Sequence, residues 1–327
     1  MHIVLITPAP PGSRAGNRAT AERWVALLEN EGHSVSVVTD YAGEPCDLFI
    51  ALHAWRSHEA VLGFRAAHPQ TPLIVALTGT DIYDHQHRFP PETLGTMDLA
   101  DCLIGLHHRV CNDIPEQYAA RLVTVLQSAD EPKKQPAAET GQFRVCVIGH
   151  LRDEKDSLRA ALAARLLPAE SAVQVINAGK AHTPDWEARA RDEEAANPRF
   201  QWLGEIDKPG IQALMRSCEL MVISSVMEGG ANVVSEACRA GLPILASDIS
   251  GNIGLLGDHY PGYFKTSDEQ DLAKLLSKTE QSTAFLARLR DEVSQLAESF
   301  RPEKEQASLA KAIEMAVAQR SQSNLSE

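Results

Sequence analysis

The sequence predicts an α/β protein made of two doubly wound, Rossmann-like domains, and three observations support this fold class. Short β-rich runs alternate with helical patterns along most of the 327 residues, as expected for βαβ units and parallel sheets. The alternation is interrupted at residues 128–142, a stretch rich in Pro, Lys, Glu, Ala and Thr. The length also suits two domains of roughly 150 residues. We therefore expect domains over residues 1–140 and 141–300, with their sheets facing a cleft.

The first domain is predicted to contain six strands and two long helices. Its continuous apolar runs are typical of strands buried on both faces. The strands are expected at residues 2–7, 34–39, 47–52, 73–77, 102–106 and 121–126, and the helices at 17–30 and 55–68.

The second domain shows the same alternation. Its strands are expected at 143–148, 173–178, 200–203, 219–224 and 243–247, and its helices at 155–167, 185–197, 211–217, 231–240, 268–278 and 282–299. The spacing of Leu158, Leu162 and Leu166 predicts one apolar face on the first of these helices. A C-terminal helix within residues 301–327 is expected to pack back toward the N-terminal domain and to end in a frayed tail from residue 321.

Composition excludes several classes of function. The 31 basic and 44 acidic residues give a net charge of −13, which repels nucleic acid and anionic lipid. No run of 18 apolar residues is present, so no membrane span is expected. The six cysteines include no C-x-x-C pair, and without an export signal they indicate reduced thiols in a cytoplasmic protein. The sequence also lacks a P-loop and a G-x-S-x-G elbow, and it indicates no oligomeric state.

Two carboxylates, Glu228 and Glu236, flank the start of the helix predicted after the fourth strand of the second domain. Glycines at this point allow a ligand to approach the backbone, and a helix start presents N–H groups to an anion. Carboxylates are good acceptors for sugar hydroxyls. The sequence thus predicts a ligand site formed by Glu228, Gly229, Gly230, Ala231, Asn232 and Glu236.

The loop after the first strand of the second domain carries His150, Arg152 and Lys155 behind Gly149. Cations and a glycine at the carboxyl end of a strand suit a diphosphate. We expect this loop to hold the phosphates of the same ligand.

The first domain offers polar loops at its own strand ends. Arginines in the loop after the first strand are suited to an anion, and the other two loops contribute hydroxyls, a carboxylate and imidazoles. The candidates are Gly12, Ser13, Arg14, Asn17, Arg18, Thr78, Gly79, Thr80, Asp81, His107 and His108. Adjacent histidines point apart, and His85 and His87 have only Asp81 and Asp84 nearby, so no metal site is expected.

Taken together, these motifs resemble the family-4 retaining glycosyltransferases of the GT-B fold. The resemblance rests on Glu228–x₇–Glu236, on Gly149 to Lys155, and on the A-G-L-P-I-L-A-S segment at 240–247. It implies that Glu236 holds the ribose of a nucleotide-sugar, that Glu228 lies near the donor sugar, and that Lys155 binds the diphosphate. His150 stands where the family has arginine, so either His150 or Arg152 takes over that charge.

Four segments resemble the selenosugar synthases of selenoneine biosynthesis more closely, namely residues 7–14, 76–81, 105–109 and 149–152. This resemblance implies an enzyme that forms a C–Se bond between a UDP-sugar, typically UDP-N-acetylglucosamine, and selenophosphate, releasing UDP. The acceptor site is expected in the first domain. The catalytic groups expected are His107 and His108 of the first domain and Glu228 of the second, and no cofactor is expected. Two alternatives remain open, a family-4 glycosyltransferase with a hydroxyl acceptor and a non-catalytic nucleotide-sugar-binding module.

Overall fold

A computed structural model describes residues 1–13, 15–131 and 141–324. The chain divides into two compact units, Met1–Ser128 with Pro302–Glu327 and Ala129–Arg301. Each unit contains a six-stranded parallel sheet, which confirms the predicted fold class. The predicted boundary at residue 140 falls in the segment 132–140, outside the described residues, as does Arg14.

The sheet of the first unit has the order β2-β1-β3-β4-β5-β6. Its strands are β1 (His2–Ile6), β2 (Ser34–Val38), β3 (Leu48–Leu52), β4 (Leu73–Ala76), β5 (Cys102–Gly105) and β6 (Leu122–Thr124). Every residue of β3, β4 and β5 is buried, which explains their continuous apolar runs. The helices are α1 (Gly16–Asn30), α2 (His58–Ala67), α3 (Gln86–Arg88), α4 (Pro90–Leu99) and α5 (Val110–Asp113), with a π-helical turn at Asp81–His85 and a 3₁₀ turn at Glu116–Arg121.

The sheet of the second unit has the order β12-β11-β10-β7-β8-β9. Its strands are β7 (Phe143–Ile148), β8 (Val173–Ala178), β9 (Phe200–Trp202), β10 (Leu220–Ile223), β11 (Ile244–Ser247) and β12 (Tyr263–Phe264). Its helices are α6 (Arg159–Arg165), α7 (Pro184–Ala196), α8 (Lys208–Arg216), α9 (Asn232–Ala240), α10 (Ser250–Leu256), α11 (Glu269–Gln281) and α12 (Thr283–Leu296), with 3₁₀ turns at Asp153–Lys155 and Ala297–Phe300.

The strand orders fix where ligands are expected to bind. In the second unit the order reverses between β7 and β10, and in the first between β1 and β3. At such a switch point the two following loops diverge to opposite faces of the sheet and leave a crevice beyond the strand ends. In the second unit these loops carry Lys155 and Glu228, and in the first they carry the segment 7–15 and His53.

Several local predictions are wrong. The helix expected from residue 155 begins only at Arg159, because Asp156 takes a left-handed conformation with φ 44° that interrupts the helix. Its buried face consists of alanines, and Leu166 is 53% exposed. Helices α4 and α10 and strand β12 were not predicted. Among the described residues, no helix is both long enough and apolar enough to cross a membrane.

The last helix, α13 (Pro302–Asn324), belongs to the first unit. It extends past residue 321, where fraying was expected, and residues 325–327 lie outside the described residues. Leu309, Ala312, Ile313 and Ala316 contribute one apolar stripe to the core of the first sheet. Spacings of three and four residues place such side chains on one helix face.

Glu305, in the first turns of α13, is a buried carboxylate shared by three parts of the first unit. Trp24 Nε1 and Arg23 Nε each donate to it at 2.8 Å. The backbone N–H and the hydroxyl of Ser128 donate at 2.7 and 2.5 Å. These bonds connect α13 to α1 and to Ser128, the last residue of the first unit before the chain enters the second unit.

We expect Glu305→Ala to lower the free energy of unfolding of the first unit by about 3–5 kcal/mol, the usual cost of removing one partner from a buried charge pair. The substitution leaves the Arg23 guanidinium and the Trp24 N–H without their acceptor. Amide hydrogen exchange of β1 and α13 measures this unit separately. Glu314→Ala, on an exposed position of the same helix, is the control. Equal protection in both variants would contradict the role given to Glu305.

Candidate functional site

The structure brings Lys155 and Glu228 together at the switch point of the second unit. Lys155 Nζ donates to Glu228 Oε1, and Ser225 Oγ donates to the same oxygen at 2.5 Å. The Glu228 side chain is 8% exposed and that of Lys155 is 20% exposed. The pair is thus largely removed from water, although a fifth of the Lys155 side chain remains exposed.

The two loops that carry this pair are joined by backbone hydrogen bonds. Val226 N–H donates to the Glu154 carbonyl at 2.9 Å. Ser224 Oγ donates to the carbonyls of Lys155 and Asp156 at 3.2 and 2.9 Å. Because both backbones are held, the positions of the ammonium and the carboxylate are set before any ligand binds.

A buried polar network supports Glu228 from behind. Ser247 Oγ donates to the Ser225 carbonyl at 2.5 Å, and Asn252 Nδ2 donates to the Ser247 carbonyl at 3.0 Å. A Cβ at Gly251 would overlap the carbonyl oxygen of Glu228, so only glycine allows α10 to approach this closely. Ser225, Gly251 and Asn252 were not predicted as site residues, because this network depends on the distant contacts of Ser247 with Ser225 and of Gly251 with Glu228.

The predicted glycine segment lies at the start of α9. Gly229 and Ala231 are buried, and Asn232 is the first helical residue. Ala231 caps the helix with no side-chain hydrogen bond, which suits a helix start that presents N–H groups to an anion. Glu236 lies in the second turn and is half-buried.

His150 and Arg152 follow β7, on either side of the bridge residue Leu151. His150 Nδ1 accepts from the backbone N–H of Lys180 at 3.2 Å, and its ring stacks with His182 at 6.2 Å. Burial lowers the pKa of His150, and the carboxylate of Glu205 opposes that shift. The guanidinium of Arg152 lies 3.7 Å from Glu154.

In the first unit, Asp81 joins the loops that follow β3 and β4. Its carboxylate accepts from the N–H groups of Ala54, Trp55 and Thr78 and from the Thr78 hydroxyl, all at 2.9–3.0 Å. It also lies 2.7 Å from His53 Nδ1. Burial raises the pKa of this carboxyl, but the charge and hydrogen bond of His53, with the contributions of His85 and the Thr78 N–H, together leave the pKa well below its usual range.

Thr80 completes this cluster through His53. The Thr80 hydroxyl lies 3.0 Å from His53 Nε2 and 3.3 Å from the Thr78 hydroxyl. Asp81, Thr78 and Thr80, predicted as one site, are therefore close together, with Gly79 between them in the chain. His53 was not predicted, because it is distant in sequence and belongs to no motif.

His107 and His108, predicted together, occupy different environments. His108 is exposed, whereas His107 is fully buried. His107 Nδ1 accepts from the N–H of Arg109 at 3.2 Å. Its Nε2 lies 3.0 Å from the Tyr83 hydroxyl, which donates to Asp113 at 2.8 Å. Both ring nitrogens are thus occupied within the protein.

The loop after β1 is only partly described. Gly12 is exposed with φ 78°, and Ser13 Oγ accepts from the N–H of Ala15 at 3.2 Å. Asn17 and Arg18 lie in the first turn of α1, and Arg18 Nε pairs with Glu22 at 2.8 Å. Arg14 lies outside the described residues.

Among the described residues, one group has the composition and proximity of a metal site. It consists of His53, Asp81 and His85, whose ligand atoms lie within 4.8 Å of one another. The sequence suggested His85 and His87 as a possible pair of metal ligands. In the structure His87 is exposed and does not belong to this group.

The environment of His107 predicts an acid-sensitive fold. Burial lowers the pKa of His107 from 6.5 to about 4, against the opposing charge of Asp113. Between those two values the unfolded chain binds a proton that the folded chain does not, so stability falls as pH falls, by up to about 3 kcal/mol. We expect His107→Gln to weaken this pH dependence in denaturation curves between pH 6.5 and 4. The exposed control His108→Gln should keep the wild-type dependence, and an unchanged slope in His107→Gln would contradict the assignment.

Comparison with known proteins places the chain in a family. The model of the glycosyl transferases group 1 family matches residues 128–299, more than half of the chain. Anabaena HepE in complex with UDP has a TM-score of 0.77 at 17% identity, over 96% of this chain and 100% of that one. Sucrose-phosphate synthase from Thermosynechococcus elongatus has a TM-score of 0.78 at 13% identity, over 97% and 99%. A glycosyltransferase from Rickettsia africae has a TM-score of 0.71 at 12% identity, over 96% and 98%. With its two parallel-sheet Rossmann-like units of the GT-B fold, this chain belongs to the group 1 glycosyl transferases.

Proposed function

We propose that this protein transfers a sugar from a UDP-sugar, in the first instance UDP-N-acetylglucosamine, to selenophosphate and releases UDP. The Lys155–Glu228 pair at the switch point of the second unit carries the donor half of the proposal. The acceptor half rests on the resemblance of residues 7–14, 76–81, 105–109 and 149–152 to selenosugar synthases. Free thiols at all six cysteines fit a cytoplasmic enzyme.

In the donor site, Lys155 faces the diphosphate, together with the N-terminal N–H groups of α9 beside Gly229 and Gly230. Arg152 or His150 supplies a further contact to the phosphates. Glu236 accepts from the ribose hydroxyls, and Glu228 lies beside the donor sugar and orients Lys155. The similar fold of Anabaena HepE, solved with UDP and with UDP-glucose, supports a uridine nucleotide as donor.

The reaction forms one bond and breaks one. Selenium attacks the anomeric carbon, and the bond from that carbon to the diphosphate oxygen breaks, its electron pair leaving with UDP. In this step the phosphoryl group remains on selenium. The diphosphate gains charge in the transition state, and a fixed ammonium stabilises that charge. Selenophosphate is already nucleophilic, so we propose neither a general base nor a cofactor.

The acceptor site is assigned to the first unit. Arg14 and Arg18 are the proposed cations for the acceptor's phosphoryl oxygens. Further contacts to the acceptor are assigned to Gly12, Ser13, Asn17 and the loop of Thr78, Gly79, Thr80 and Asp81. The exposed His108 is available to contact the acceptor. His107, with both nitrogens occupied, is assigned a positioning role.

We expect Lys155→Ala to reduce kcat about 10²- to 10³-fold, as the loss of one preorganised group that stabilises transition-state charge does. The melting temperature is measured in parallel to exclude unfolding. Lys208→Ala, at an exposed lysine of the same unit that lies 3.7 Å from an exposed carboxylate, is the matched control. Wild-type turnover in Lys155→Ala would remove Lys155 from the diphosphate site.

The decisive experiment measures UDP release from UDP-N-acetylglucosamine with and without selenophosphate, and without added divalent metal. We expect release only when selenophosphate is present, and a product whose mass spectrum shows the selenium isotope pattern joined to the sugar. Release with a hydroxyl acceptor instead would indicate an oxygen-linking glycosyltransferase. UDP-sugar binding without turnover would indicate a non-catalytic module, and either result would overturn the proposal.

A further inference from the structure

Three potential metal ligands lie together at the carboxyl ends of β3 and β4, in the first unit. His53 directly follows β3, and Asp81 and His85 are the first and last residues of the π-helical turn Asp81–His85. They are 3%, 1% and 8% exposed. Their ligand atoms all lie within 4.8 Å of one another. No residue of this group belongs to the proposed donor site, which lies in the other unit.

The Nδ1 atom of His85 is buried and has no hydrogen-bond partner. It lies 4.0 Å from Asp81 Oδ1, too far for a hydrogen bond. The ring is fixed by Trp55 and Phe89, at centroid distances of 4.4 and 5.7 Å. Its other nitrogen, Nε2, lies 3.5 Å from the Asp84 carboxylate. His85 therefore places a buried ring nitrogen that lacks a hydrogen-bond partner beside the Asp81 carboxylate.

His53 is oriented in the same way, with Nδ1 toward Asp81 and Nε2 toward another polar group. Its Nε2 lies 3.0 Å from the Thr80 hydroxyl, and its Nδ1 lies 2.7 Å from Asp81 Oδ1. Two electron-rich atoms this close must share either a proton or a cation. The N–H of Arg56 also points at Nδ1, at 3.3 Å, and this long contact is the one that a cation would displace.

The surroundings of Asp81 match an outer shell for a metal. Four donors from Ala54, Trp55 and Thr78 hold the carboxylate, and Oδ1 is the oxygen nearest both imidazoles. Histidines that bind metal through one nitrogen usually present the other to a hydroxyl, carbonyl or carboxylate, and ligating carboxylates are themselves hydrogen-bonded. Thr80, Asp84 and the four donors to Asp81 meet each of these conditions.

We infer that His53 Nδ1, Asp81 Oδ1 and His85 Nδ1 bind one divalent transition-metal ion of the Zn²⁺ type, which replaces the proton between His53 and Asp81. Two imidazoles and one carboxylate are a ligand set that zinc favours, with a fourth position left for water. Mg²⁺ and Ca²⁺ prefer oxygen ligands in greater number. The inference does not rest on the proposed function, although Asp81 also belongs to the loop assigned to the acceptor. It differs from the expectation from sequence that no metal site is present.

The test uses the full chain, stripped with a chelator, in a Cys111→Ser background that removes its exposed thiol. Zn²⁺ or Co²⁺ is titrated, and bound metal is counted after gel filtration. We expect one equivalent to be retained, the visible absorption of four-coordinate Co²⁺, and a rise in melting temperature with metal. Mg²⁺ should produce neither retention nor stabilisation.

The decisive variant is His85→Phe, which keeps an aromatic ring beside Trp55 and Phe89 but removes the ligand. Its affinity for Zn²⁺ should fall by more than about 100-fold, the upper range for loss of a mere outer-shell partner, with the apo melting temperature retained. His87→Phe is the matched control, because His87 is exposed two residues away. No retained metal in the parent, or equal binding by both variants, would overturn the inference. His53→Gln should lower the affinity similarly and checks the second ligand.

Discussion

The buried ion pair between Lys155 and Glu228 is the interaction around which the second unit is organised. A carboxylate that is 8% exposed is tolerated only when it is paired and hydrogen-bonded. The pair lies in the crevice where the strand order reverses between β7 and β10, and hydrogen bonds join the beginnings of the two following loops before they diverge. Ser224, Ser225 and Ser247 then satisfy the polar groups that this meeting buries. The same geometry places the Lys155 ammonium next to the loop that leads into α9, and this is the place proposed for the diphosphate.

The first unit also has a buried carboxylate beyond its strand ends, one strand away from its switch point. Asp81 follows the strand next to the switch point and gathers N–H groups from two loops. Its charge is opposed by an imidazole rather than by an ammonium, and four of its hydrogen bonds come from the fold itself. The Asp81 carboxylate is therefore already occupied by hydrogen bonds within the protein. The acceptor loop proposed at Thr78 to Asp81 does not depend on that carboxylate. Its neighbours Thr78 and Thr80 remain the polar groups of that loop closest to solvent.

The sequence predicts the central strands well, because burial on both faces makes each of them a continuous apolar run. Strands β3, β7 and β8 match their predicted ranges within a residue. Helix α6 was misplaced because periodicity does not reveal the left-handed residue Asp156. Motifs identified Lys155 and Glu228, since each follows a strand with glycine nearby. Gly251 and His53 escaped prediction because their importance comes from contacts with residues more than 20 positions away, which no local pattern encodes.

Two of the cations proposed for phosphate binding, Arg18 and Lys155, differ in how firmly each is held. Arg18 pairs with Glu22 along α1, and the Glu22 side chain is 59% exposed. Exposed helical pairs of this kind contribute well under about 1 kcal/mol, so an incoming anion displaces Glu22 at little cost. Lys155, by contrast, compensates a buried carboxylate, and moving it away would leave Glu228 uncompensated. A mobile cation suits a small acceptor that must enter before each turnover, and a fixed cation suits charge that develops on a leaving group during the reaction. The different burial of these two ion pairs is therefore a physical reason to place acceptor capture at Arg18 and leaving-group stabilisation at Lys155.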